Sequence, residues 1–192
     1  NPVDVTTSVD VSTADGSDTI ADSDYGAVSA QTLSFAAGAT TATFAVSPTV
    51  DSTVEADEDF TVTLSNVVDG GRDVTASATA GTGTIENDDS ASLAVTSEMQ
   101  LEGDSSTSTM VFTVTLTGDV AGPFTVDIAT SDGTATTADS DYVANPPSML
   151  TFSGTSGESF SYSVTINGDV NLESDETFNV GLSNVTPALN VT

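Results

Sequence analysis

The chain has no cysteine, histidine, lysine or tryptophan, and its one basic residue is Arg72. Each absence closes a class of chemistry. Without Cys and His there are no ligands for zinc, haem or iron–sulfur centres. Neither Ser–His–Asp nor Cys–His catalysis can be assembled. With no basic stripe to displace counterions, nucleic acid is repelled, as are anionic membrane surfaces. No apolar run reaches spanning length and no signal-peptide pattern is visible, so membrane insertion is not expected and the segment reads as part of something longer. Zero Cys rules out a disulfide scaffold but is compatible with secretion. A convincing helical period is lacking throughout.

What the chain does have is acid: 29 Asp and Glu residues give a net charge of −28 over 192 residues. Such a charge opposes compaction by self-repulsion. A merely solvated acidic surface, suited to a salty habitat, would account for the charge. It would not account for acids that recur at fixed offsets from apolar residues. Bound divalent cations explain both, and a donor set made only of oxygen suits Ca²⁺. A carboxylate-pair glycosidase stays formally open. The acids, however, sit in short loop motifs, and at 6% of residues the aromatics are too few to line a sugar cleft. No enzymatic role is expected.

The motifs occur twice. Asp51-Ser52-Thr53-Val54-Glu55-Ala56-Asp57-Glu58-Asp59-Phe60 returns as Asp169-Val170-Asn171-Leu172-Glu173-Ser174-Asp175-Glu176-Thr177-Phe178. Leu64-Ser65-Asn66 returns as Leu182-Ser183-Asn184. Asp15-Gly16 followed by Asp24-Tyr25 returns as Asp132-Gly133 followed by Asp141-Tyr142. The period is 117 residues upstream and 118 downstream, the size of a whole domain. The boundary falls at Glu86-Asn87-Asp88-Asp89, which divides the chain into residues 1–89 and 90–192.

Apolar residues alternate with small polar ones, as in Phe112, Val114 and Leu116 or Phe178, Val180 and Leu182. Period two with heavy Val and Thr usage predicts half-buried strands, and short strands punctuated by Gly and Asp-Gly predict antiparallel β-sandwiches. In the second copy the strands are A near 92–97, B 109–117, C 124–130, D 148–153, E 160–166 and F 177–183. The first copy begins at the B–C turn, Asn1-Pro2, and runs C 7–13, D 31–36, E 41–47, F 60–65 and G 79–86. The first domain is therefore expected to lack its first two strands and the second its last. Unpaired strand edges would then invite self-association.

If successive strands run antiparallel, loops A–B, C–D and E–F and the end of G share one pole. Glu102 lies in A–B, Asp132 in C–D, and Asp169, Glu173 and Glu176 in E–F. In the first copy Asp15 lies in C–D, Asp51, Glu55 and Glu58 in E–F, and Asp88 and Asp89 follow G. Carboxylates gathered that closely need a counter-charge, and Ca²⁺, which takes six to eight oxygens, supplies it. Asp24, Asp141, Asp57 and Asp175 read instead as turn residues or supports. Phe60 and Phe178 read as core anchors.

Together these motifs, with Gly-Thr-Ile-Glu-Asn-Asp-Asp at 83–89, resemble the Calx-beta repeat of sodium–calcium exchangers, integrin β4 and bacterial surface proteins. The resemblance covers essentially the whole chain. It implies an Ig-like sandwich with Ca²⁺ at the A–B, C–D and E–F loops and the C-terminal acids. The implied ligands are Asp15, Asp51, the carbonyl of Thr53, Glu55, Glu58 and Asp88 or Asp89 in one copy. In the other they are Glu102, Asp132, Asp169, the carbonyl of Asn171, Glu173 and Glu176. The exchanger loop carries a further Asp where this chain has Val50 and Gly168. The expected role is a calcium-binding extender in a long secreted or surface-attached bacterial protein, an adhesin or biofilm fibre, whose partners are neighbouring domains of the same chain. A calcium-sensing regulatory module and a ligand-binding adhesin domain are the alternatives.

Overall fold

The computed structural model describes residues 3–17, 24–77 and 80–192. The Asn1-Pro2 turn, the segment around Asp22-Ser23 and the start of the last strand of the first repeat, near Thr79, lie outside them. The described residues form two compact units: Asn1–Asp51 with Ala56–Asn87, and Ser52–Glu55 with Asp88–Thr192. None of the described residues forms a helix long and apolar enough to cross a membrane.

The strands in chain order are β1 (Thr7–Asp15), β2 (Gln31–Phe35), β3 (Thr53–Val54), β4 (Glu58–Val68), β5 (Gly81–Ile85) and β6 (Ser92–Val95), followed by β7 (Thr107–Thr117), β8 (Asp119–Val120), β9 (Phe124–Ser131), β10 (Ser148–Phe152), β11 (Ser159–Asn167) and β12 (Asn179–Thr186).

The second unit has the two sheets of a sandwich, ordered β11–β7–β6 and β10–β9–β12, with all pairs antiparallel. Alternate residues of β7, β9 and β11 point inward. Val114, Leu116, Phe124, Val126, Ile128, Phe152 and Val164 are fully buried between the sheets. The period-two pattern thus closes a core between two inner faces. Beyond β12 the chain crosses over: Ala91 N–H donates to the Asn190 carbonyl and Leu93 N–H to that of Thr192. Residues 190–192 therefore run parallel beside Ala91, pairing by sequence-distant backbone that periodicity does not reveal.

The first unit is one antiparallel sheet ordered β2–β1–β4–β5. The expected strand E at 41–47 is not a strand. Phe44 and Val46 keep the half-buried alternation, but the segment has no ladder. The reason lies in the second unit, where the equivalent strand β11 pairs with β7. Among the described residues no strand of the first unit pairs with 41–47, and a strand needs a hydrogen-bonding neighbour as well as the right pattern.

The Leu-Ser-Asn motif closes a bulge in each copy. Asn66 and Asn184 adopt φ of 47° and 55°. Their side-chain amides donate to Asp10 (2.9 Å) and Asp127 (2.8 Å) on the adjacent strand, where the register shifts. Asn tolerates the left-handed conformation better than most residues, so this motif has a backbone role.

Candidate metal centre

Three loops of the second unit meet at one end. Gln100, Leu101 and Glu102 come from the β6–β7 connection, Ala135, Asp141 and Tyr142 from β9–β10, and Glu173 to Glu176 from β11–β12. They line a pocket of about 290 Å³ floored by Met110, Ile166 and Phe178. The alternation of strand direction expected from the sequence does bring these connections together.

Residues of the repeated motifs hold them there. The Tyr142 ring stacks on Phe178 with centroids 4.6 Å apart, and Tyr25 stacks on Phe60 at 4.7 Å. Each Tyr also donates its hydroxyl to the upstream Asp: Tyr142 to Asp132 at 2.6 Å, Tyr25 to Asp15 at 2.9 Å. The repeated Asp-Gly and Asp-Tyr pieces are thus a clamp that ties the C–D loop to the Phe closing the E–F loop. The glycines complete it by letting backbone approach. A Cβ on Gly133 would stand 2.3 Å from the Thr177 carbonyl oxygen, and one on Gly16 would stand 2.4 Å from that of Asp59.

Within this frame Asp141, Glu173 and Glu176 each bring a ligand oxygen within 4.8 Å of the others. Partial desolvation, then the charges of Asp169, Asp141, Glu102 and Asp139, push the Glu173 carboxyl above its ordinary range. Glu176 is raised by desolvation, then by Asp141 and Glu173. The cluster therefore gathers the field of six carboxylates. Among the described residues no side-chain cation answers it, because Arg72, the only basic side chain, is paired with Asp4 at 2.7 Å. A group of hard oxygen donors whose mutual repulsion lacks a counter-ion fits Ca²⁺.

The remaining expected ligands are placed as follows. Asp132 is not in the trio. Held by Tyr142 and by Thr137 N–H (3.1 Å), its carboxyl lies below the ordinary value, and its bonds order the loop. Asp169 accepts from the backbone and side-chain nitrogens of Asn171 at 2.6 and 2.7 Å, which folds the start of the E–F loop into a turn. Glu102 lines the pocket. Gly168, where the exchanger loop has Asp, admits no side chain: a Cβ there would meet the Glu102 and Gly103 carbonyl oxygens at 2.6 Å.

In the first unit Asp24 and Asp51 bring carboxylate oxygens within 4.8 Å of each other. Asp24 is buried, and its Oδ2 has no hydrogen-bond partner among the described residues. A buried carboxylate oxygen so placed is costly unless a cation meets it. Asp15 is held by Tyr25. Glu58 opens β4. Thr53 and Glu55 belong to the segment that goes with the second unit, as do Asp88 and Asp89. The Asp89 carbonyl accepts from the Asn190 amide at 2.8 Å.

Asp24 and Asp141, read from sequence as supports, thus stand among the clustered oxygens. A signal existed: each immediately precedes the Tyr that stacks on the E–F Phe, so the clamp carries it to the acids.

The family profile of the Calx-beta domain matches twice, over residues 1–90 and 86–191. The chain belongs to the Calx-beta domain family, in two tandem copies. Its fold is all-β, with the Ig-like antiparallel sandwich of that family. No curated protein matches the sequence. Among solved structures, CBD12 from CALX1.2 shares 22% identity at a TM-score of 0.40, over 98% of this chain and 72% of that one. The calcium binding domain CBD12 of CALX1.1 shares 19% at a TM-score of 0.38, over 96% and 69%.

Proposed function

We propose that this domain pair binds Ca²⁺ at its loop clusters and serves as a structural extender in a long, repetitive, secreted or surface-attached bacterial protein. The observation that carries the calcium part is the trio of Asp141, Glu173 and Glu176 with ligand oxygens within 4.8 Å of one another. They belong to a chain whose only cation is engaged elsewhere. Asp141, Glu173 and Glu176 would hold the ion, with Glu102 and Asp169 close enough to add their charge. Bound Ca²⁺ supplies positive charge that relieves the repulsion; the chemistry is mechanical ordering. Tandem domains of one family and a composition without lysine, histidine or cysteine favour the extender role, whose partners are neighbouring domains of the same chain.

The test is thermal unfolding in chelator and in millimolar Ca²⁺. Binding to the native state alone adds RT ln(1 + [L]/Kd), about 2.7 kcal/mol at a hundredfold excess over Kd. A higher melting temperature in Ca²⁺ is expected, and equal temperatures would refute calcium binding. Calorimetric titration separates the roles: filling near the millimolar range fits an extracellular extender, and micromolar filling a calcium sensor.

A further inference from the structure

The two repeats place one apolar residue inside the acidic loop at the same step of the motif: Val54 in the first and Leu172 in the second. Their surroundings are opposite. Val54 is 0% exposed and Leu172 is fully exposed at 102%. Val54 is a member of the second unit's core, beside Ala91, Val120 and Val191. The backbone around it is a strand of that unit. β3 pairs in parallel with β8, Thr53 opposite Asp119 and Val54 opposite Val120, and Ala121 N–H donates to the Val54 carbonyl at 2.9 Å.

So the acidic loop of one repeat supplies a plug to the unit formed by the next repeat. The receiving element is β8, the short strand between β7 and β9. Its far edge is occupied, since Val120 N–H donates to Gly154, and its near edge takes Thr53–Val54. The plug needs an apolar side chain and one extended residue before it. Leu172 supplies the apolar side chain at the matching place, and Asn171, held in a turn by Asp169, would extend on docking. We infer that Leu172 is the docking residue for a further Calx-beta unit, which receives Asn171–Leu172 along its own β8-type strand as the second unit receives Thr53–Val54. The partner is a unit with a short strand such as Asp119-Val120-Ala121 beside an open apolar core. The rule is directional: each repeat plugs the one that follows it.

This inference rests on reading the chain as part of a tandem array, but not on calcium. The chain has no cysteine, so a single introduced thiol reports one position. Leu172→Cys is placed in the full chain, and in the same chain continued after Thr192 by its own residues 75–192. Thr192 and Val74 hold equivalent places, so this continuation preserves the repeat. Reaction with a neutral maleimide is timed in calcium and in chelator. The thiol of Leu172→Cys should react at least tenfold more slowly in the lengthened chain. Val54→Cys should be protected in both chains. Val170→Cys, equivalent to the exposed Ser52, should react alike in both. Equal reactivity of the Leu172→Cys thiol in the two chains would overturn the proposal. So would a freely reactive thiol in Val54→Cys, since it would remove the precedent. Calcium-independent melting would overturn the calcium reading and leave this one standing.

Discussion

Val54→Ala should destabilise the second unit, although Val54 belongs to the first repeat by sequence. The side chain is 0% exposed within the second unit's core. Truncation to Ala deletes two buried methyl groups, at ~0.8 kcal/mol each for transfer alone. Incomplete collapse of the cavity adds to this, giving about 2–3 kcal/mol in all. Leu172→Ala, the same step of the motif in the second repeat, removes a fully exposed side chain and should stay within about 0.5 kcal/mol of zero. Hydrogen exchange at the amides of β7 and β9 reads the second unit by itself. Since each 1.36 kcal/mol is a factor of ten, globally exchanging amides there should speed up roughly 30- to 160-fold in Val54→Ala and stay nearly unchanged in Leu172→Ala. A melting temperature lowered by on the order of 10 °C for this unit should accompany the change. If the two variants exchange alike, Val54 is not a core residue of the second unit and the docking argument fails with it.

Three further outcomes are expected. Glu173→Gln, Glu176→Gln and Asp141→Asn should each lower calcium affinity in the second unit by tenfold or more in calorimetric titration. Asp132→Asn should act less on affinity than on loop order, and equal effects of all four would displace the trio as the centre. The raised carboxyls of Glu173 and Glu176 bind protons more readily folded than unfolded. Their contribution is therefore present below the ordinary value of 4.5 and is lost as pH rises through the raised folded values. In chelator, melting should thus rise as pH falls from neutral toward that range, and Glu173→Gln with Glu176→Gln should flatten the rise. Asp132 acts with the opposite sign, losing its contribution below 3.8, and an unchanged profile in the Gln variants would refute the assignment. The first unit's single sheet leaves Leu64 at 42% exposed and Val68 at 61%. Sedimentation should show concentration-dependent self-association, and a monomer across the whole range would count against an adhesive face.

Alternation of small polar and branched residues was enough to place nearly every strand, because inward and outward faces must alternate wherever one face is buried. Phe112, Val114 and Leu116 alternate in the sequence and lie within the second core, and Phe178, Val180 and Leu182 alternate likewise and pack against it. The paired motifs located the acidic loops, since loops joining every second reversal share a pole whatever fills the core. Here local pattern suffices because the governing physics is local: strand period and turn chemistry.

Tertiary structure decided everything that depends on a distant neighbour. Residues 41–47 carry the strand pattern without a ladder, because a hydrogen-bonded partner is not encoded in the segment itself. Asp132 and Asp141 are nine residues apart on one loop, yet the Tyr142 hydroxyl holds the first while the second faces Glu173 and Glu176. A one-dimensional motif cannot resolve which way each carboxylate turns. Val54 and Leu172 stand at the same step of one motif, with one buried and the other exposed. Burial is a property of what arrives at a surface, and what arrives at Val54 is a strand more than sixty residues away in sequence.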